Sequence, residues 1–222
     1  SPSPSPREAG RGPGRGAAAK PSDLPTITPA SAAAWEAWLA KNHVRSKGVW
    51  LRLPKGPGQA LTYAAAIEAA LLWGWIDGQK RALDATAWLQ RFTPRAARSV
   101  WSKINCAKAE ALVASGRMRP PGLAEIERAK SDGRWARAYE SPRAATVPPD
   151  LKRALARDAK ACAFFEALDG ANRYAILYRV QSAKLPETRA RRIETFVAMC
   201  ARGETLHPAR AKRKGAMERL VQ

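Results

Sequence analysis

Between Ala85 and Ala109 the chain carries five cations, Arg91, Arg95, Arg98, Lys103 and Lys108, and no acid. Trp88, Phe92 and Trp101 are interleaved with them. A phosphate backbone with stackable bases requires both partners, charge for the phosphates and ring faces for the bases. Arg91, Arg95, Arg98, Trp101 and Lys103 are therefore candidate polyanion-binding residues. The same spacing also suits an aromatic core edged by solvated arginines, and the segment holds no recognised DNA-reading motif. Further along, Arg189 and Arg192 stand three apart on a helical segment, where two guanidinium forks can face one phosphate or carboxylate. The competing reading there is an ordinary surface pair of Glu187 with Arg191, four residues apart.

A second constellation is Trp75, Asp77 and Gln79, candidates for a small-ligand site. A carboxylate between a tryptophan and a glycine can act as a general base or a ligand contact. Asp77-Gly78 is also turn chemistry, and no second carboxylate or histidine lies nearby in sequence to complete an acid/base pair. The nucleophile-elbow, phosphate-loop and dinucleotide patterns GxSxG, GxxxxGK[ST] and GxGxxG are absent. No catalytic residue and no cofactor is assigned. Cys106, Cys162 and Cys200 form no CxxC and read as buried, reduced thiols. His43 and His207 have no ligand spacing with any cysteine, so no metal is assigned.

The elements that must position these residues follow from periodicity. Ser31 can cap a helix with Trp35, Trp38 and Leu39 on one stripe. Val49–Leu53 alternates as a strand with Val49, Leu51 and Leu53 on one face. Thr62 can cap a second helix that closes at Gly74 and Trp75. Ile76–Leu83 and Ala87–Thr93 read as a hairpin around Asp84-Ala85-Thr86, with Trp88, Gln90 and Phe92 on one face of the second strand. Thr93-Pro94 reads as a helix start, and Ser99–Ser115 as the helix that follows. Leu123, Ile126 and Ala129 mark a short helix. Beyond Pro149 everything reads helical: Asp150 as a cap, Gly170 as a stop, Asn172 as a cap, and Pro186 with Glu187 opening a last helix that Gly203 stops.

The expected fold class is thus α+β, a small antiparallel sheet packed with helices, followed by an all-helical C-terminal module. The expected layout is a disordered basic tail at 1–24, an α+β domain at 25–140, a proline-rich linker at 141–149, a helical module at 150–207 and a basic tail at 208–222. The tails cannot bury enough surface to offset chain entropy. Gly10–Gly16 reads as a flexible, polyanion-contacting arm.

Charge sets the expected partners. The chain carries +20; the ends 1–24 and 208–222 hold +2 and +4, which leaves +14 for the folded part. Such a field attracts nucleic acid, anionic headgroups or acidic proteins, although arginine- and alanine-rich chains are often basic without a polyanion partner. No apolar run approaches the ~20 residues of a membrane span. Residues 1–24 lack the apolar segment of a secretory signal, which predicts a cytoplasmic location. Oligomeric state is not legible.

Several strings in order, GWIDGQ (74–79), LQRFTPR (89–95), WSKIN (101–105) and NRYAIL…QSAKLPETRARRIETFV (172–197), resemble the YdeI/OmpD-associated family, also called bacteriocin-protection proteins. The resemblance covers roughly Pro29 to Pro208, and its last block resembles the family's OmdA-like helical module. It implies tolerance of cationic antimicrobial peptides or bacteriocins and an envelope partner, an outer-membrane porin. It implies no reaction, cofactor or catalytic residue. The family has been predicted to be periplasmic, which the missing leader does not match. The leading expectation is a non-enzymatic binding protein in stress or antimicrobial tolerance. The alternatives are a polyanion-binding protein using residues 88–108, and an enzyme with a site near Asp77.

Overall fold

The structure, a computed structural model, describes residues 23–208; most of both expected tails lies outside them. By compactness the described residues divide into two units, one of residues 23–99 and 108–129, the other of 100–107 and 130–208. The 141–149 segment falls within the second.

The first unit is built on a four-stranded sheet. Its strands are β1 (Thr26–Ile27), β2 (Val49–Pro54), β3 (Trp75–Ala82) and β4 (Ala87–Pro94), in the order β1-β2-β4-β3. The β3–β4 hairpin and the β2–β4 pairing are antiparallel, as expected. β1 adds a parallel edge that no periodicity announces in two residues, so the sheet is mixed. Asp84 builds the hairpin turn by accepting the Thr86 and Ala87 amides at 2.7 and 2.8 Å. These bonds and the Thr86 hydroxyl, the largest cause, hold its carboxyl below the usual range.

Helices α1 (Ala32–Asn42) and α2 (Tyr63–Leu72) start where the sequence predicts. Ser31 and Thr62 are extended, and their hydroxyls accept the amides of Ala34 and Ala65. Both helices cover one face of the sheet. Trp35, Leu39, Ala66 and Ala70 pack there on Val49, Leu51, Leu53, Trp75 and Phe92. Trp35 lies 5.3 Å from Trp38 and 6.3 Å from Trp75, ring centre to ring centre, so the core of this face is largely aromatic.

Two expectations fail beyond the hairpin. Thr93-Pro94 ends β4 instead of starting a helix, because both are still paired with β3: Ile76 faces Thr93 and Trp75 faces Pro94. Helix α3 runs Lys103–Ala114 and so begins four residues later than the sequence predicts. Helix α4 (Pro120–Ser131) follows, with Ile126 and Ala129 buried.

The second unit contains α5 (Pro149–Leu155), α6 (Ala159–Ala167), α7 (Gly170–Gln181) and α8 (Pro186–Ala201). Leu151, Phe165, Ile176, Leu177, Val180, Phe196 and Cys200 share its core. Pro186 and Glu187 do open α8, and Gly203 follows it with φ +72°. Two expected caps are displaced. Pro148 takes the cap position of α5, with Asp150 inside its first turn. Asp169 caps α7 by accepting the Asn172 amide, so Gly170 opens a helix instead of closing one. Asn172 is buried and holds the segment that follows α8, donating to the His207 carbonyl and accepting its amide. Cys106 and Cys200 are buried free thiols, but Cys162 is only half-buried.

A candidate cationic sheet face

The sheet has two chemically different faces, and register decides which side chains share each. Along β4, Trp88, Gln90 and Phe92 stand opposite Leu53, Leu51 and Val49, and form the face beneath α1 and α2. Leu89 and Arg91 point the other way, with Trp50 and Arg52 of β2 beside them. On β3 the alternation is reset by an irregularity between Asp77 and Lys80, so Arg81 is paired with Leu89. The second face therefore carries a row Arg52–Leu89–Arg81 and, one pleat along, Trp50 beside Arg91.

The floor of this face is apolar and closed. Trp50, Leu89 and Leu24 form a small cluster, at 3%, 4% and 9% exposure. Arginines lie on top of it. The Arg81 guanidinium sits 4.5 Å from the centre of the Trp50 ring, a cation–π contact. Arg91 lies against the backbone of Gly78, where a Cβ would stand 3.1 Å from its Nε and 3.2 Å from its Nη2. The missing side chain at Gly78 makes room for the guanidinium. Gln90 fixes the same irregularity from the other face, donating from Nε2 to the Gly78 carbonyl at 2.8 Å. Arg52 donates to the Thr86 hydroxyl at 3.1 Å and stands 3.8 Å from Asp84, an ion pair weakened by distance and solvent. Among the described residues, no carboxylate pairs with Arg81 or Arg91.

The predicted polyanion residues do not assemble as one surface. Arg91 lies on the cationic face. Arg95 is buried at 5% exposure, and its amide donates to the Gly74 carbonyl. Arg98 is exposed in a turn. Trp101 is buried and packs on Trp135, 4.8 Å between ring centres. Lys103 is exposed and paired with Glu140. Arg189 and Arg192 are engaged within the helical unit. Arg189 binds both oxygens of Asp150, at 2.6 and 2.9 Å, and donates to the Val180 carbonyl. Arg192 donates to the Arg179 carbonyl and the Ser182 hydroxyl. Both arginines thus close the C-terminal end of α7, and their forks are spent there.

The small-ligand trio is also divided. Trp75 is buried in the aromatic core, with its indole N–H on the His43 carbonyl at 3.3 Å. Asp77 is half-buried and accepts from the Tyr63 hydroxyl at 2.6 Å. Gln79 is exposed in the irregular stretch of β3. Lys80 leans over Trp88 on the same face as Asp77, 4.1 Å from the ring centre. Two concave sites, of about 550 and 890 Å³, lie in the second unit around the start of α7. Gly170, Ala171 and His207 line both of them, and none of the predicted site residues does. Among the described residues no group of three or more His, Cys, Asp or Glu could hold a metal ion, and no helix is long and apolar enough to cross a membrane.

Sequence reasoning missed Trp50, Arg52 and Arg81. The signal was present, because strand alternation puts Arg52 opposite Val49, Leu51 and Leu53. What was lacking was the crossover that seats β2 beside β4.

Fold and site together define a small α+β unit with one cationic sheet face, followed along the chain by a helical unit. Residues 144–203 match the family described as Bacteriocin-protection, YdeI or OmpD-Associated. The segment that resembles the family's helical module thus carries the family's own signature. Residues 27–125 match a second family, described as a Domain of unknown function (DUF8412). No curated protein and no solved structure matches the chain.

Proposed function

We propose that this protein acts by binding an anionic polymer or surface, and that the second face of the N-terminal sheet is its interface. The observation that carries the reading is the arrangement of Arg52, Arg81 and Arg91. Three cations from three adjacent strands converge on one face, and two of them face no carboxylate among the described residues. With neighbouring strands ~4.8 Å apart, Arg52 and Arg81 flank Leu89 at a backbone separation of roughly 10 Å, and Arg91 lies roughly 7 Å along the strand. That triangle suits successive phosphates better than one small anion. The charge of the whole chain, +20, would steer polyanions to it.

The match of residues 144–203 to a bacteriocin-protection family is compatible with this reading. A cationic protein repels cationic peptides. Protection through this face would act by covering the anionic target that such peptides seek. That role in antimicrobial tolerance is part of the proposal.

The test is direct binding of the full chain to single- and double-stranded DNA, RNA and anionic vesicles. Changing Arg52, Arg81 and Arg91 together to Ala should weaken binding at least tenfold. A control triple change of the exposed Lys152, Arg153 and Arg157 to Ala removes the same charge from the helical unit and should weaken it less than threefold. Equal losses in the two variants would reduce the interface to overall charge and contradict the reading.

A further inference from the structure

We infer that the ligand of the cationic face is single-stranded nucleic acid, read by stacking on the Arg81–Trp50 pair while Arg91 holds a phosphate. This rests on the polyanion reading above and adds the chemical class.

The argument begins with what the face lacks. A surface that inserts into a membrane brings exposed apolar groups into the headgroup region beside its cations. Here Trp50 and Leu89 are at 3% and 4% exposure and Leu24 at 9%, so the floor of the face is closed to a bilayer; Leu83, just past the end of β3, is 48% exposed and, among the described residues, stands alone there. What the face does offer is a plane. A guanidinium 4.5 Å above an indole has its position set by the ring. A guanidinium is planar and carries its N–H groups around its edge. An unpaired base can stack on a guanidinium plane held in this way. In a duplex both faces of a base are occupied by its neighbours, so this mode selects single strands.

Arg91 has the complementary role. Its Nε is buried and meets no hydrogen-bond partner among the described residues. The side chain is seated by the gap at Gly78, and the Gly78 backbone is in turn held by Gln90. A fork fixed in this way loses less freedom on binding a phosphate than an arginine moving in solvent. Gly78 is thus a positioning residue for the phosphate contact. Asp77-Gly78, which reads in sequence as turn chemistry, becomes the device that seats Arg91.

The experiment uses the full chain and four probes: a 20-nucleotide oligothymidylate, a duplex of equal length, inorganic polyphosphate of matched charge, and phosphatidylglycerol-containing vesicles. The single strand should bind about tenfold tighter than polyphosphate or duplex, the size of one base-stacking contact. R81K keeps the charge and removes the plane, and it should bring the single strand down to the polyphosphate level. G78A should weaken the single strand and polyphosphate together, because it displaces the phosphate fork; an unchanged circular dichroism spectrum would confirm that it folds. If polyphosphate, duplex or vesicles match the single strand, or R81K keeps the full preference, the stacking inference is wrong while the polyanion reading stands. If the unaltered protein binds none of the four, both fall.

Discussion

Arg95 and Arg81 illustrate how little a residue's type says about its place. Both are arginines of the same sheet and its margin. Arg95 is enclosed at 5% exposure, while Arg81 lies exposed over Trp50. Their variants should separate accordingly. Arg95→Ala removes a buried charged group and should cost about 2–3 kcal/mol of stability in urea unfolding, whereas Arg98→Ala in its exposed turn should stay within about 0.5 kcal/mol. A stable Arg95→Ala protein with impaired polyanion binding would reverse this assignment. The Asp150–Arg189 pair gives a pH signature. The Arg189 guanidinium, the largest cause, holds the Asp150 carboxyl below its usual range. A depressed carboxyl stabilises the fold above its unfolded pKa of about 3.9 and loses that contribution as the pH falls through the lower folded value. Asp150→Asn should therefore lower the melting temperature at pH 7, by an amount equivalent to about 1 kcal/mol for a partly solvated pair, and make little difference near pH 2. An equal loss at both pH values would show that the carboxylate's charge is not what matters.

At the scale of elements, the sequence was readable wherever a local rule sufficed. Ser31 and Thr62 cap α1 and α2 because a hydroxyl in extended backbone needs only the next turn. The hairpin around Asp84 was legible for the same reason. Thr93-Pro94 was misread because a threonine before a proline is an equally good strand end, and only the pairing of Trp75 with Pro94 decides it. Asp150 and Asn172 were taken for caps because the true caps, Pro148 and Asp169, lie two and three residues earlier in chain that periodicity does not mark. The two-residue β1 carries no pattern at all. One close approach makes a sharp prediction. Gly122 of α4 packs against the end of α2, where a Cβ would stand 2.5 Å from the Leu72 carbonyl oxygen and 2.6 Å from that of Leu71. Gly122→Ala must push the helices apart and should cost about 2 kcal/mol, read as a lower urea midpoint. An unchanged midpoint would mean that α4 is not held there. By contrast Gly116, in open space, is set by its φ of +68°.

At the scale of the molecule, the family resemblance and the excess of positive charge were both visible in the sequence, but the interface was not. The linear run from Arg91 to Lys103 is dispersed by folding: one member reaches the sheet face, two are buried, one is exposed in a turn and one is paired. The face that replaces it takes Arg81 and Arg91 from one hairpin and Arg52 from a strand much earlier in the chain. No window of sequence contains all three at a recognisable spacing. Long-range pairing assembled the site, and pairing is what a single sequence leaves undetermined. The helical unit keeps its own arginines for its own architecture. Arg189 and Arg192 close the end of α7, and the polyanion account assigns them no direct part.

The account's central claim is that three particular cations contact a polyanion, and the salt dependence of binding measures that number. Log affinity for a single-stranded oligonucleotide falls with log salt by about 0.7 for each phosphate neutralised. With the full chain and a 20-nucleotide oligothymidylate, the account predicts a slope shallower by about 1.4 to 2 when Arg52, Arg81 and Arg91 are all changed to Ala, the lower figure if Arg81 meets a base and the higher if it meets a phosphate. It predicts little change in slope when Lys152, Arg153 and Arg157 are changed instead. Indistinguishable slopes for the unaltered protein and the Arg52/Arg81/Arg91 variant would contradict it.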